Sequence, residues 1–507
     1  MKASDRVPLL RIEVSGQSLA PEIARWISRV RVQQRLSMPA VCEIVIDGPK
    51  RDASAVEPGH VGDIVRLTIT GSEVPLFVGE ITAMEYSYCG ARERELRVRA
   101  YDLLHRLDRR QPVKSHVQLS AVDLASELTA DLGVSVHADE SGPVWPRVMQ
   151  YRQTDLELLR EVAARSGLHF ALHEDTLALF TLAGVGDAIP LTIGDTLVEA
   201  RVEVNAATAC HQVTAVAWDP WRGVPHEGNA RSARTGRDVG AHVEASAVGG
   251  SGERTLPDEL AQADDQADAL AQGELDGRVA REVVLRGVAL GDPRLRAGAR
   301  ISLDGADAAF CGSYVLTEVT HTIDATRGFL SEVGTAPPSP AVRTRAAVVT
   351  TAAVTSVDDP ERLGRVKGIL PTYGDLETDW MGVLTPGAGT GKGLLMLPDV
   401  GDKVLVLFAR GDPAQGIVLG GLYGSTLPPD DAGVAKGKVR RAAFLTPGGQ
   451  LVRLDDDRAS VRIENSGGSF VELGPDLVVV HSAAALNVEA PGHPIVIRGK
   501  TVEFEQS

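Results

Sequence analysis

Short runs of alternating apolar and polar side chains fill the first hundred residues. They are RIEVSG from Arg11, VCEIVIDG from Val41, DIVRLTIT from Asp63, PLFVGEITAMEYSY from Pro75 and ERELRVRAYD from Glu93. Successive side chains on a strand point to opposite faces, so this period predicts strands with one buried face. The period changes after Tyr101. Ser120 opens SAVDLASEL as a helix cap with apolar positions at helical spacing. Thr154 and Glu157 form a capping box at the start of a second helix, which stops at Gly167. LHFALHEDTLALF from Leu168 predicts a hairpin. Strands return from Leu197 to Asp219, 221–251 reads as a long loop, and 257–284 reads as an Ala-rich helix with Pro257 and Asp258 in its first turn. ARISLDG, SYVLTEVTHTID and GFLSEVG are strands again. Residues 336–345 form a linker in which Pro337, Pro338 and Pro340 fix φ and stiffen the chain. Short strands cornered by Gly, Asp and Pro over 347–425 predict a small barrel.

The last seventy residues repeat a simpler unit. Apolar pairs recur with one residue between them: Val452/Leu454, Val461/Ile463, Val471/Leu473, Val478/Val480, Leu486/Val488, Ile495/Ile497 and Val502/Phe504. Their starts are 9, 10, 7, 8, 9 and 7 residues apart. This predicts a short strand and a corner, repeated along the tail. Two inward side chains per repeat cannot cover a core, and lone short strands are unstable in water. A step of this length is also too short for one chain to complete a solenoid turn. Three chains, each giving one side of a prism, would bury the pairs and close the strand edges. The expectation is therefore a homotrimer with a rigid C-terminal needle; a monomeric β-meander is the alternative. Which of Val478/Val480 and Val479 faces inward is left open.

Composition narrows the function. Basic residues number 52 and acidic 68, a net charge of −16, and the pI is near 5.3, which argues against a whole-chain nucleic-acid binder. The balance is uneven: 18 basic and 15 acidic over 1–115, 19 and 33 over 116–350, 15 and 20 over 351–507. The acidic middle is either a solvated face or a surface for a basic partner. Cys42, Cys89, Cys210 and Cys311 are too scattered for a disulfide framework or zinc knot. No apolar run is long enough for a signal peptide or membrane span, so synthesis and assembly in the cytoplasm are expected.

At this point the residues resemble a family. DPERLGRVKG, LPDVGDKVLVLF and GDPAQGIVLGGLYG are similar to the OB-fold domain of VgrG proteins and phage tail spikes. The shared positions include Asp359, Gly364, Arg365, Val366, Pro398, Val400, Gly401, Asp402, Val404, Gly411, Asp412, Gly420 and Tyr423. Lys403 and Gln415-Gly416 depart from the pattern. Upstream, the stretch from Tyr151 to Phe170 and that from Ala297 to His321 resemble the hub domain of the same family. The resemblance implies a mostly β chain with an α+β hub: tail-hub β-barrels with a helical insertion, an OB-fold barrel and a C-terminal intertwined triple-stranded β-helix. The expected domains are a hub over 1–105 and 197–335, an inserted α/β part over 106–196, an OB fold over 346–428 and a needle over 438–507. The needle core would be Val461, Ile463, Val471, Leu473, Val478, Val480, Leu486, Val488, Ile495, Ile497, Val502 and Phe504. The implied role is the trimeric hub-spike of a contractile injection machine, joining inner tube, tube-initiator and baseplate proteins to a membrane-puncturing needle. The implied partners are two further copies, a PAAR-type tip, cargo effectors and, on firing, the target membrane. An extracellular or phage-like particle is favoured over a type VI secretion machine. The particle would be released or membrane-docked.

No catalytic signature in the sequence is complete. GAGTGKG at 387–393 has Pro386 where a phosphate loop needs Gly and Gly393 where it needs Ser or Thr, and reads as a hairpin loop. No H-E-x-x-H or G-x-S-x-G occurs, and the thirteen residues 426–438 leave no room for an inserted muramidase. No enzyme activity, cofactor or nucleic acid is therefore expected. Single His481 and His493 are either surface residues or, for three copies of His493, an axial metal site. Trp218 and Trp221 are either a contact pair or edge packing. The reading from a different class is an OB-fold enzyme or adhesin.

Overall fold

The largest element of the computed structural model is an eleven-stranded sheet built from both ends of the hub sequence. The structure describes residues 10–49, 58–89, 93–219, 224–339 and 346–505. In order across the sheet, the strands are Leu197–Val204, Val283–Leu290, Gly328–Gly334, Glu318–Asp324, Ile27–Arg35, Val41–Pro49, Glu93–Tyr101, Phe77–Cys89, Ile64–Ile69, Leu10–Val14 and Gln17–Ser18. The two halves meet where Glu318–Asp324 pairs antiparallel with Ile27–Arg35, His321 opposite Val32. The alternation read from the sequence places Val30, Val32, Ile44, Leu67, Ile81 and Val98 on the buried face. Chain contacts divide the protein into two units, 1–421 and 422–507.

Between the two sets of strands lies the helical part. Ala121–Thr129 and Asp155–Arg165 are both helices with closed capping boxes, Ser120 with Asp123 and Thr154 with Glu157. Each box satisfies two backbone N–H groups that a helix start leaves open. Gly167 ends the second helix in the left-handed region, φ +68°. His169–His173 and Thr176–Phe180 form the expected hairpin, joined by the parallel strand Ser135–Ala138. Leu124, Leu159, Phe170 and Leu177 fill the core between helices and hairpin. Val185–Thr192 leaves this part and pairs parallel with Ala299–Asp304.

Two sequence expectations fail here. The helix expected from Pro257 begins at Asp264 and ends at Ala280, while Glu253–Leu260 is a strand parallel to Gln212–Asp219. Pro257 sits in a bulge, because Leu256 opposes Ala215 and Glu259 opposes Ala217. A bulge is one of the few places where a strand tolerates proline, and Asp258 there has φ +60°. The loop expected over 221–251 contains a strand, Val224–Ala230, antiparallel to Gln212–Asp219. Its sequence, VPHEGNA, lacks apolar alternation because its inner face packs closely on the Asp264–Ala280 helix. A Cβ on Gly228 would lie 2.1 Å from the Ala267 carbonyl carbon, so a small residue stands where a strand pattern would show a large one.

Residues 346–421 form a six-stranded sheet, in order Leu376–Glu377, Lys367–Leu370, Val348–Ser356, Lys403–Phe408, Gly416–Gly421 and Gly382–Val383. Val354, Val366, Leu370, Val404, Val406, Phe408 and Val418 make its core. In the second unit Arg441–Leu445, Leu451–Asp455, Ser460–Glu464, Phe470–Leu473 and Val478–His481 form an antiparallel meander. The repeat of strands expected to the end of the chain stops there: over 482–505 no strand is formed. Leu486/Val488, Ile495/Ile497 and Val502/Phe504 stand exposed. Such short segments hold no strand geometry on their own.

Candidate functional site

The tail meander has two chemically different faces. In its register Phe444 opposes Val452, Val452 opposes Ile463, Ile463 opposes Val471 and Val471 opposes Val480. A parallel row runs Ala442, Leu454, Val461, Leu473, Val478. All ten residues lie on one face, with Ile463 55% and Val478 and Val480 each 60% exposed. A contiguous apolar face of this kind on one short sheet marks an interaction surface. Val479 is on the opposite face, opposite Glu472, so Val478 and Val480 share the apolar face and Val479 does not.

That opposite face satisfies itself within one chain. Arg462 pairs with Glu464 at 2.8 Å and Glu472 at 2.6 Å, and its guanidinium lies 3.8 Å from the centre of the Phe470 ring. Phe470 stacks in turn on His481, centroids 5.0 Å apart. The Arg462 neighbour holds the Glu464 carboxyl below its usual range. At the start of the meander Arg441 pairs with Asp430 and Asp431, and Arg453 reaches Asp430 at 3.4 Å. His493 is exposed. Among the described residues no group of three or more His, Cys, Asp or Glu side chains gathers around one point.

The OB motif residues build corners rather than a groove. Asp359 accepts N–H groups from Glu361, Leu363 and Arg365 and takes both arms of the Arg365 guanidinium, at 3.1 and 2.6 Å. Both side chains are almost fully buried. The guanidinium, with the three backbone donors, holds the Asp359 carboxyl far below its usual range. Gly364 closes this turn at φ +73°. Val366 bridges Met381. Gly401 donates to the Val354 carbonyl, and Asp402 accepts from the Asp399 N–H. Asp412 accepts from the Ala414 N–H. Pro398 is partly buried, Gly420 lies at the bulge of the strand Gly416–Gly421 with φ +159°, and Tyr423 is exposed. Residues 387–393 fold as the expected hairpin, Gly389 and Lys392 exchanging two backbone hydrogen bonds.

Hub and OB sheet meet through contacts that the sequence reading did not foresee. Tyr151 Oη donates to the Gly411 carbonyl at 2.5 Å, and its ring packs on Tyr373, which sits edge-on to Phe408. Burial pushes the Tyr151 hydroxyl up to about 12. Arg147 donates to the Glu377 carbonyl at 3.1 Å and lies 3.4 Å from Asp379. Arg410, in the left-handed region at φ 53°, pairs with Glu259 at 2.9 Å and donates to the Asp258 carbonyl. The linker is therefore not the sole joint; Pro340 and the rest of 340–345 lie outside the described residues. Tyr151 was visible only as a motif position, and the partners of Arg147 and Arg410 are too distant in sequence to be read from it. Trp218 donates to Asp258 at 3.1 Å; Trp221 lies outside the described residues. Cys42, Cys210 and Cys311 are free thiols. Among the described residues no helix is long and apolar enough to cross a membrane.

The comparisons agree with this architecture. The sequence matches the family model of the phage tail baseplate hub (GPD) over residues 35–326 and that of the type VI secretion system/phage-baseplate injector OB domain over residues 350–423. No curated protein shows significant similarity to the chain. Among solved structures, the VgrG-containing Francisella PdpA-VgrG complex aligns with a TM-score of 0.57 at 7% identity, covering 94% of this chain and 80% of the other. The E. coli c3393 protein is described as a type VI secretion component similar to T4 bacteriophage tail proteins gp27 and gp5. It aligns at 0.52 and 16% identity, covering 81% and 99%. A 43 kDa tail protein of prophage MuSo2 from Shewanella oneidensis aligns at 0.50 and 13%, covering 65% and 98%. At such identities these likenesses establish the fold alone. The hub match spans more than half of the chain, which therefore belongs to the phage tail baseplate hub family, with an injector-type OB domain following the hub.

Proposed function

We propose that the protein is the hub-spike of a contractile injection machine and works as a homotrimer. The observation that carries this reading is the ten-residue apolar face of the tail meander. One chain leaves that face in water; three chains packed face to face would remove it, and would give the unpaired segment 482–505 neighbours to pair with. The tail then acts as a needle that carries a PAAR-type tip, and the hub joins it to the inner tube, tube-initiator and baseplate proteins. Cargo effectors ride on the same particle. The protein has no catalytic role of its own: it is made and assembled in the cytoplasm and meets the target membrane on firing. A phage-like or extracellular particle fits the reading as well as a type VI machine does.

Removing residues from Arg441 onward tests this. The shortened chain should lose the stable trimer, or keep one that dissociates on dilution, as read by mass photometry. A trimer that persists unchanged at nanomolar concentration would show that the tail is not the clasp.

A further inference from the structure

A cleft of about 570 Å³ opens beside the hairpin His169–His173/Thr176–Phe180, in the range of small-molecule sites. Its far wall is the turn at 184–186 with Arg296 and Arg300. The charged groups in it are not evenly paired. Glu174 is held by Arg66 at 3.4 Å, Asp175 accepts from the Thr176 hydroxyl, and Asp139 lies 3.7 Å from His137. The Arg296 side chain is partly buried and makes no hydrogen bond or ion pair among the described residues, and the Glu174 carboxylate on the same cleft acts on it only through space. Arg300 donates through Nε to the Ala183 carbonyl at 2.9 Å, which leaves its terminal nitrogens open. His173 Nε2 is buried without a partner. Burial and the nearby Arg296 hold this imidazole down at about 3, so it adds no charge to the cleft.

Arg296 and Arg300 both line this cleft, and a partly desolvated guanidinium is costly unless something answers it. We propose that this cleft binds a small oxyanion, a carboxylate or a phosphate, gripped by Arg296 and Arg300. A planar guanidinium fork matches two oxygens of either group, and a partly dry site strengthens the match. The inference is independent of the trimer, since every residue in it belongs to one chain.

Titration calorimetry on the full chain with inorganic phosphate, and separately with succinate, tests it. At least one probe should bind saturably at one site per chain and raise the melting temperature. Arg296→Gln should weaken that binding at least tenfold, while Arg294→Gln, whose side chain pairs with Asp292 at 2.6 Å, should leave it unchanged. If Arg296→Gln does not fold, Arg300→Gln, on an exposed side chain, should weaken binding in its place. Which probe binds identifies the oxyanion. Lack of saturable binding by both at millimolar concentration, or equal binding by the folded Arg296→Gln protein, would overturn the proposal.

Discussion

Two neighbouring valines should respond in opposite ways to the same substitution. Val480 lies on the apolar face opposite Val471, whereas Val479 lies on the charged face opposite Glu472. Val480 is 60% exposed in one chain. Burying a whole valine side chain contributes about 1.5–3 kcal/mol, so burying the exposed part between copies contributes about 1–2 kcal/mol per copy. Val480→Asp removes that term and places three carboxylates in a dry core at a cost of several kcal/mol each. The total is on the order of 10 kcal/mol, comparable with the whole free energy of association at micromolar to nanomolar affinity. Val479→Asp adds a carboxylate opposite Glu472, a like-charge contact costing roughly 0.2–1 kcal/mol, and Arg462 is close by to offset it. Native mass spectrometry across a dilution series should find monomers for Val480→Asp and an unchanged assembly for Val479→Asp. If both variants assemble normally, or if only Val479→Asp fails, the face assignment is wrong.

Other consequences are independent of the tail. Asp359→Asn removes the charge that answers the buried Arg365, and should destabilise the OB domain by about 3–5 kcal/mol, seen as an earlier unfolding transition in urea. Tyr151→Phe with Arg410→Ala should loosen the hub–OB joint and speed proteolytic cutting within 336–345. Replacing Pro337, Pro338 and Pro340 by Gly-Ser should have a smaller effect, and an unaltered cutting rate in the Tyr151→Phe, Arg410→Ala protein would show that the linker alone sets the joint. His321 is buried, with Nδ1 2.8 Å from Ser331 Oγ and Nε2 2.9 Å from the Leu295 carbonyl; burial lowers it to about 4. An unfolded histidine titrates near 6.5, so between about 6.5 and 4 the unfolded state binds the extra proton. His321 should thus cost the hub stability as pH falls through that window, by about 3 kcal/mol at most. His321→Gln should flatten the pH dependence of the urea midpoint between pH 7 and 5.

The sequence carried the elements whose signals are local. Ser120 with Asp123 and Thr154 with Glu157 are caps within four residues, and the strands before Tyr101 alternate as a half-buried face must. It failed where tertiary packing overrode the pattern. Gly228 is small because the Ala267 backbone touches it, so the Val224–Ala230 strand has no apolar alternation to read. Pro257 looked like the first turn of a helix but occupies a bulge. In the tail the apolar pairs were legible, and their register follows once the antiparallel pairing of Val471 with Val480 is known. After His481 the apolar pairs persist in the sequence but no strand forms, because a period of apolar positions does not by itself hold a short strand. The cleft at Arg296 was invisible in sequence, because Arg296 and His173 are 123 residues apart and meet only through the fold.

If three copies close the apolar tail face, the mass of the intact protein in native solution should be that of three chains. A single such species should persist to nanomolar concentration. A monomer at micromolar concentration, with the tail face still open to solvent, would contradict it.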